Sequence, residues 1–297
     1  MTHEIDTLFH QQLKMWPLLA KGVEGLTKAH TRQVRIDWFD VFVRHIPHRV
    51  RSTTAAVDRE SIEKRPCFLC ADNLDPEQKG VPFGPEFTVY CNPFPIVDRH
   101  LTVVHCRHQP QRIAGQLRHM LDLAAAMPDY FVIYNGPECG ASAPDHFHFQ
   151  AGLRNLFPIE RDTAGMRGPA IDGYARNVFL FRDGDPSRLI DQLENAIELL
   201  AAETGKSPEP LINIATFHDA EQGWIIYLFP RGKHRPRVYD TGELTVSPAS
   251  IDLCGIFVVP MERDFARISG DDIRTIFAEV TLPRNQFQAV AAKLERR

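Results

Sequence analysis

Apolar positions along the chain fall into two rhythms. Over residues 5–29, Ile5, Leu8, Phe9, Leu13, Trp16, Leu19 and Val23 recur every three or four residues, the period of one helix face. Pro17 has no N–H for the helical ladder, so it splits or kinks that helix. Residues 34–44 (Val34, Ile36, Trp38, Val41, Val43) alternate imperfectly, as a strand does. The polar, basic stretch 45–66 reads as loop with little regular structure.

Short apolar strands follow at 87–90 and 101–105, separated by the turn-forming Asn92-Pro93-Phe94-Pro95. A helix over 110–127 carries Ile113, Leu117, Met120, Leu121 and Leu123, with Pro110 in its first turn. Strands at 130–134 and 146–153 bracket the loop 135–145. Residues 154–175, rich in Arg, Gly, Pro and Asp, read as a linker. Beyond it the pattern repeats more weakly. It predicts a helix over 186–204, strands at 211–217, 223–229 and 255–259, and helices at 271–279 and 284–296. The order predicts an α+β fold with antiparallel sheets flanked by helices. It divides into residues 1–160 and 161–297, the second half reading as a divergent copy of the first.

Composition adds bounds. The 297 residues are 43% hydrophobic and 24% charged, enough for a sizeable core. A net charge of −4 offers no global field for nucleic acid or an acidic membrane. A phosphate-bearing ligand must therefore be held by local basic groups and backbone amides. The N-terminus lacks a basic start followed by an apolar run, and no stretch approaches ~20 apolar residues. We expect a cytoplasmic protein, with no membrane and no nucleic acid among its partners. Its six cysteines then read as reduced or metal-bound.

The chemistry concentrates in His146-Phe147-His148-Phe149-Gln150. In a strand, side chains alternate faces, so the phenylalanines anchor one face while His146, His148 and Gln150 share the other. The two imidazoles would lie ~7 Å apart, which suits two jobs better than joint grip on one ion. The preceding loop, Asn135 to Ser142, offers glycines, a hydroxyl and successive amides able to cradle phosphate oxygens. An imidazole beside such a cradle can attack phosphorus. Gln150 can donate to the non-bridging oxygens as charge builds there. Against this stands an ordinary reading. With thirteen histidines, one alternating pair in a strand is unremarkable.

Cys67-Phe68-Leu69-Cys70 can present two thiolates to one zinc ion. His108 and His146 are the candidate partners, with His105 as substitute for His108. Ordinary reduced thiols are the competing reading. The basic stretch 229–237 either supplies cations to a phosphate or is a solvated hairpin end.

Taken together, Asn135, Gly140, Ser142, His146, His148 and Gln150, with Cys67 and Cys70 upstream, resemble the galactose-1-phosphate uridylyltransferase branch of the histidine triad superfamily. Phe149 before the glutamine, the longer spacing from Ser142 to His146, and the stretch SPASIDLCGIFVVPMERDF resemble its GDP-hexose and diadenosine tetraphosphate phosphorylases. The resemblance implies two histidine-triad-like halves and His148 as a nucleotidyl-carrying nucleophile, assisted by Gln150 and Ser142. It implies substrate contacts from Asn92, Phe94, Asn135, Gly140, Arg49 and Arg51. It also implies zinc held by Cys67, Cys70, His108 and His146, and often a homodimer. The implied reaction is phosphorolysis of a nucleoside-diphosphate sugar, its partners being that sugar nucleotide and phosphate or a sugar phosphate. Exchange of a nucleoside monophosphate between sugar 1-phosphates is the rival within enzymes. A nucleotide-binding regulatory protein without turnover and a zinc-stabilised scaffold are the rivals outside them.

Overall fold

Pro17 divides the N-terminal amphipathic stretch into helices Thr2–Met15 and Pro17–Thr27 in the computed structural model, which describes every residue except 56, 155, 172 and 297, and omits the side chains of Arg51 and Arg59. Next comes a hairpin of β1 (His30–Ile36) and β2 (Phe39–His45), where one strand over 34–44 was expected. Its turn places Asp37 at φ 53°, a left-handed conformation that aspartate tolerates better than most residues. The expected loop 45–66 contains a 3-10 turn, Pro47–Arg49, and short helices at Val50–Thr53 and Arg59–Glu63. Asp58 caps the last of these by accepting from the Ser61 N–H.

The remaining strands are β3 (Gly80–Phe83), β4 (Phe87–Cys91), β5 (Leu101–His105), β6 (Tyr130–Asn135), β7 (His148–Leu153), β8 (Phe179–Asp183), β9 (Ile212–Asp219), β10 (Gly223–Pro230) and β11 (Ile256–Val259). Eight of them form one sheet in the order β3-β4-β5-β7-β6-β9-β10-β8. Every neighbouring pair in it is antiparallel. The β6–β9 pairing joins strands from before and after residue 160 into that single sheet. The hairpin forms a second sheet with β11, and the β2–β11 pair is parallel.

The large sheet is buried on both faces. One carries Phe149, Tyr134, Ile214 and Leu228, covered by helices including Thr2–Met15, Leu117–Ala126, Pro186–Thr204 and Arg284–Leu294. The other carries Phe131, Ile133, Phe217 and Tyr227 beneath the small sheet and helix Gly270–Val280. Phe147 and Phe149 are fully buried in the first core, their rings 4.9 Å apart and edge-to-face. Each such burial contributes about 2–3 kcal/mol.

Two sequence expectations shift near the site. The helix starts at Leu117, not 110. Gly115 at φ 74° breaks the helical path, and tertiary bonds claim the earlier backbone: the Gln111 N–H donates to the Pro144 carbonyl and the Ile113 N–H to Glu209. Strand β7 begins at His148, not His146. The His146 N–H turns back to the Ala143 carbonyl, while the Phe147 N–H bonds the Gln109 carbonyl. No helix among the described residues is long and apolar enough to cross a membrane.

Candidate active site

β7 lies between β5 and β6, and its register aligns Val104 with His148 and Thr102 with Gln150. His148 and Gln150 therefore share one face of the sheet, as alternation requires. His148 is buried, and its Nδ1 lies 2.9 Å from the His146 carbonyl. A carbonyl only accepts, so Nδ1 carries the proton and Nε2 the lone pair. Burial pushes the imidazole pKa down to about 4, so the ring is neutral around pH 7.

Gln150 is held by His100, a residue that sequence reasoning passed over. His100 Nδ1 accepts from the Ile96 N–H at 3.2 Å, which leaves its Nε2 to donate to Gln150 Oε1 at 2.9 Å. Burial, and then the nearby Arg49 cation, push His100 down to about 3. With Oε1 taken, the Gln150 amino group has no protein partner among the described residues. Arg49 Nη1 donates to the Phe94 carbonyl at 3.2 Å, while its buried Nε has no partner. Burial pushes Arg49 down to about 10, so it stays cationic at neutral pH.

The loop 92–100 is pinned from the N-terminal segment. Arg49, His48 and Arg44 bond the successive carbonyls of Phe94, Pro95 and Ile96. The two polar atoms of Asn92 are occupied within the protein, by the Phe94 N–H and by Thr102. The side chain of Arg51 lies outside the described residues.

Residues after 160 hold the phosphate-cradle candidates in place. Asn135 Oδ1 accepts from Asn213 Nδ2 at 2.7 Å and from the Ser250 N–H at 3.1 Å. Asn213 is held in turn by the buried Arg231, whose guanidinium also bonds four backbone carbonyls. Arg231 is thus an interior tie and not part of a solvated hairpin end. Gly140 adopts φ 103°, and a Cβ there would stand 2.6 Å from that of Ala249. Ser142 is half-buried, and its carbonyl accepts from Arg65 at 3.4 Å.

Cys67, Cys70, His108 and His146 converge, with ligand atoms all within 4.8 Å of one another. His146 Nε2 donates to the His105 carbonyl at 2.7 Å, which turns the Nδ1 lone pair onto both sulfurs at 3.4 and 3.5 Å. His108 Nδ1 is 3.2 Å from Cys70 Sγ. A tetrahedral ion with Zn–S and Zn–N bonds of ~2.3 and ~2.0 Å needs S···N edges of about 3.5 Å, so these residues fit one. His105 offers the cluster its carbonyl, not its ring, whose Nδ1 accepts from the Arg107 N–H.

Residues 8–153 match the family described as a domain of unknown function (DUF4922), and residues 161–295 match the one described as GDPGP1-like, C-terminal domain. The structure resembles that of yeast Ap4A phosphorylase Apa2, with a TM-score of 0.63 at 16% identity over 94% of this chain and 97% of that one. The same enzyme in complex with Ap4A gives 0.62 at 16% identity, over 94% and 98%. The chain shares the fold of that phosphorylase, and its residues 161–295 match the GDPGP1-like C-terminal domain. An ADP-glucose phosphorylase from Arabidopsis thaliana with bound ADP-glucose also matches, at 14% identity over 86% of this chain and all of that one. Its TM-score of 0.35 is too distant a fit to argue from. No curated protein matches in sequence. Asn213, Arg231, Ala249 and Ser250 all fall in the C-terminal match while bracing Asn135 and Gly140 in the N-terminal one.

Proposed function

We propose that the chain is an enzyme transferring a nucleotidyl group through His148, by phosphorolysis of a nucleoside-diphosphate sugar. The observation carrying this reading is the Nδ1–H bond from His148 to the His146 carbonyl, which leaves Nε2 as an unprotonated nucleophile. Nε2 attacks the α-phosphorus. An N–P bond forms, the P–O bond to the β-phosphate breaks, and sugar 1-phosphate leaves. The His146 carbonyl stabilises the positive charge that develops on the ring. Gln150 and Asn135 direct amide N–H groups to the non-bridging oxygens, and Arg49 supplies the cation. Phosphate then attacks the same phosphorus, the N–P bond breaks, and nucleoside diphosphate departs.

In this reading Gly140 and Ser142 belong to the phosphate cradle, Asn92 and Phe94 to the nucleoside side, and Arg51 joins Arg49 at the phosphates. Residues 1–160 form the working half and 161–297 a divergent copy. Cys67, Cys70, His108 and His146 would hold zinc, which with four protein ligands supplies structural cross-linking. The match over the whole length of an Ap4A phosphorylase favours a second substrate class, a dinucleoside polyphosphate, whose leaving group would be a nucleoside polyphosphate.

The test is incubation with nucleoside-diphosphate sugars labelled in the α-phosphate. We expect acid-labile label on the protein, discharged by added phosphate as nucleoside diphosphate, and no label on His148→Ala. Discharge only by a second sugar 1-phosphate would point to exchange. Equal labelling of His148→Ala, or none of the wild type with sugar nucleotides and dinucleoside polyphosphates alike, would refute the covalent mechanism.

A further inference from the structure

Strands β6 and β7 pair as far as Ile133↔Gln150. Continuing that register sets Asn135 opposite His148, so the two chemical residues face each other two residues beyond the last paired rung. There the backbones do not bond each other. The side chain of Gln111 stands between them, almost fully buried. Its Oε1 accepts from the His148 N–H at 2.8 Å. Its Nε2 donates to the His148 carbonyl at 2.9 Å and to the Asn135 carbonyl at 3.0 Å. All three of its amide contacts replace ladder bonds that separated strands cannot make. The amide has one possible orientation, since the flipped form would set N–H against N–H and oxygen against two carbonyls.

The backbone of Gln111 is itself pinned. Its N–H donates to the Pro144 carbonyl, and its carbonyl lies 3.3 Å from the Tyr134 hydroxyl oxygen. The Tyr134 proton goes to Glu209 at 2.6 Å, and Glu209 also accepts from the Ile113 N–H at 2.7 Å. The wedge is therefore built on a hydrogen-bonded base and does not hang from a loose loop.

We infer that Gln111 is a positioning residue for the transfer: it holds β6 and β7 apart and fixes the main chain of His148, so that the His148 ring keeps its bond to the His146 carbonyl while facing Asn135. The inference rests on the reading of His148 as nucleophile. Gln111 touches no reacting atom. Its effect is on the placement of Nε2, and misplacement of a nucleophile by about 1 Å costs on the order of 100-fold in rate.

The experiment compares wild type, Gln111→Met and Gln111→Glu as full-length, metal-loaded protein. Gln111→Met keeps the length and removes all three bonds. Gln111→Glu keeps the acceptor for the His148 N–H and removes both donors. Two readouts are taken: long-range proton–nitrogen NMR of 15N-histidine protein, with His148 assigned by loss of its signals in His148→Asn, and the pre-steady-state rate of protein labelling by α-phosphate-labelled sugar nucleotide. We expect one Nδ1–H tautomer for His148 in the wild type. In Gln111→Met we expect a mixture of tautomers and labelling about 100-fold slower, with nucleotide affinity within threefold. Gln111→Glu, which sets an oxygen against the same two carbonyls, should be slowed at least as much. An unchanged His148 tautomer in both variants, or labelling within threefold of wild type, overturns the inference. Should Gln111→Met fail to fold, Gln111→Glu carries the comparison. Should the wild type itself take no label, the transfer reading fails, and the NMR signature still decides whether Gln111 sets the ring.

Discussion

His100 Nε2 and Gln150 Oε1 are 2.9 Å apart, a bond from the loop 92–100 to the strand that carries His148. It fixes which way the glutamine amide points, because an oxygen bound to His100 leaves the amino group facing the other way. We predict that His100→Leu slows transfer about 10–100-fold, close to the loss from Gln150→Ala. The double variant should be little worse than either single one, since both remove the same oriented donor. Fully multiplicative losses in kcat would separate the two residues.

The Cys67–Cys70–His108–His146 cluster predicts tight metal binding. Elemental analysis of the purified chain should find about one zinc per chain, and Cys67→Ser with Cys70→Ser should lose it. Because His146 also supplies the carbonyl that bonds His148, the metal-free form should lose transfer activity as well as thermal stability. Unchanged metal content in the double serine variant would remove these thiols from the site.

Gly140 at φ 103° lies against Ala249. Gly140→Ala adds a strained backbone angle to a steric overlap, together about 2–4 kcal/mol. Urea unfolding should show that loss. The paired variant Gly140→Ala with Ala249→Gly should recover the steric part and leave the backbone part.

Acid should destabilise the fold. His100 and His234 are pushed down to about 3 and 4 by burial and neighbouring arginines, against ~6.5 in the unfolded chain. Below pH ~6.5 the unfolded state binds protons that the native state refuses, so stability falls with pH by about 1.4 kcal/mol per unit for each proton. Asp252, raised to about 6 by burial, opposes one of these protons between about pH 6 and 4. Denaturant midpoints should fall from pH 7 to 4, with most of the loss below about pH 6. His100→Leu should remove one proton from that slope, and an unchanged slope would assign it to other groups.

Much of this was legible in the residues. The strands around the site, helix Pro186–Thr204 and the Cys67–Cys70 knuckle follow from local rules: period, proline and paired thiols. Alternation placed Phe147 and Phe149 in the core and His148 with Gln150 on the opposite face. The grouping of Cys67, Cys70, His108 and His146 was likewise anticipated from residue type. Local pattern misled at 110–116, where the apolar spacing is helical but Gly115 and bonds to Pro144 and Glu209 hold the chain out of a helix.

What the sequence determined by itself is residue chemistry and short-range period: an imidazole on a strand, glycines before it, and thiols two residues apart. The tertiary structure decided which polar atoms remain free. His148 Nε2 is available because Nδ1 meets the His146 carbonyl, the Gln150 amino group because His100 takes its oxygen, and the Asn135 amide because Asn213 and Ser250 take its own. Hydrogen-bond partners 50, 78 and 115 residues away leave no periodic trace, because each bond depends on how the sheet folds back and not on the neighbours along the chain.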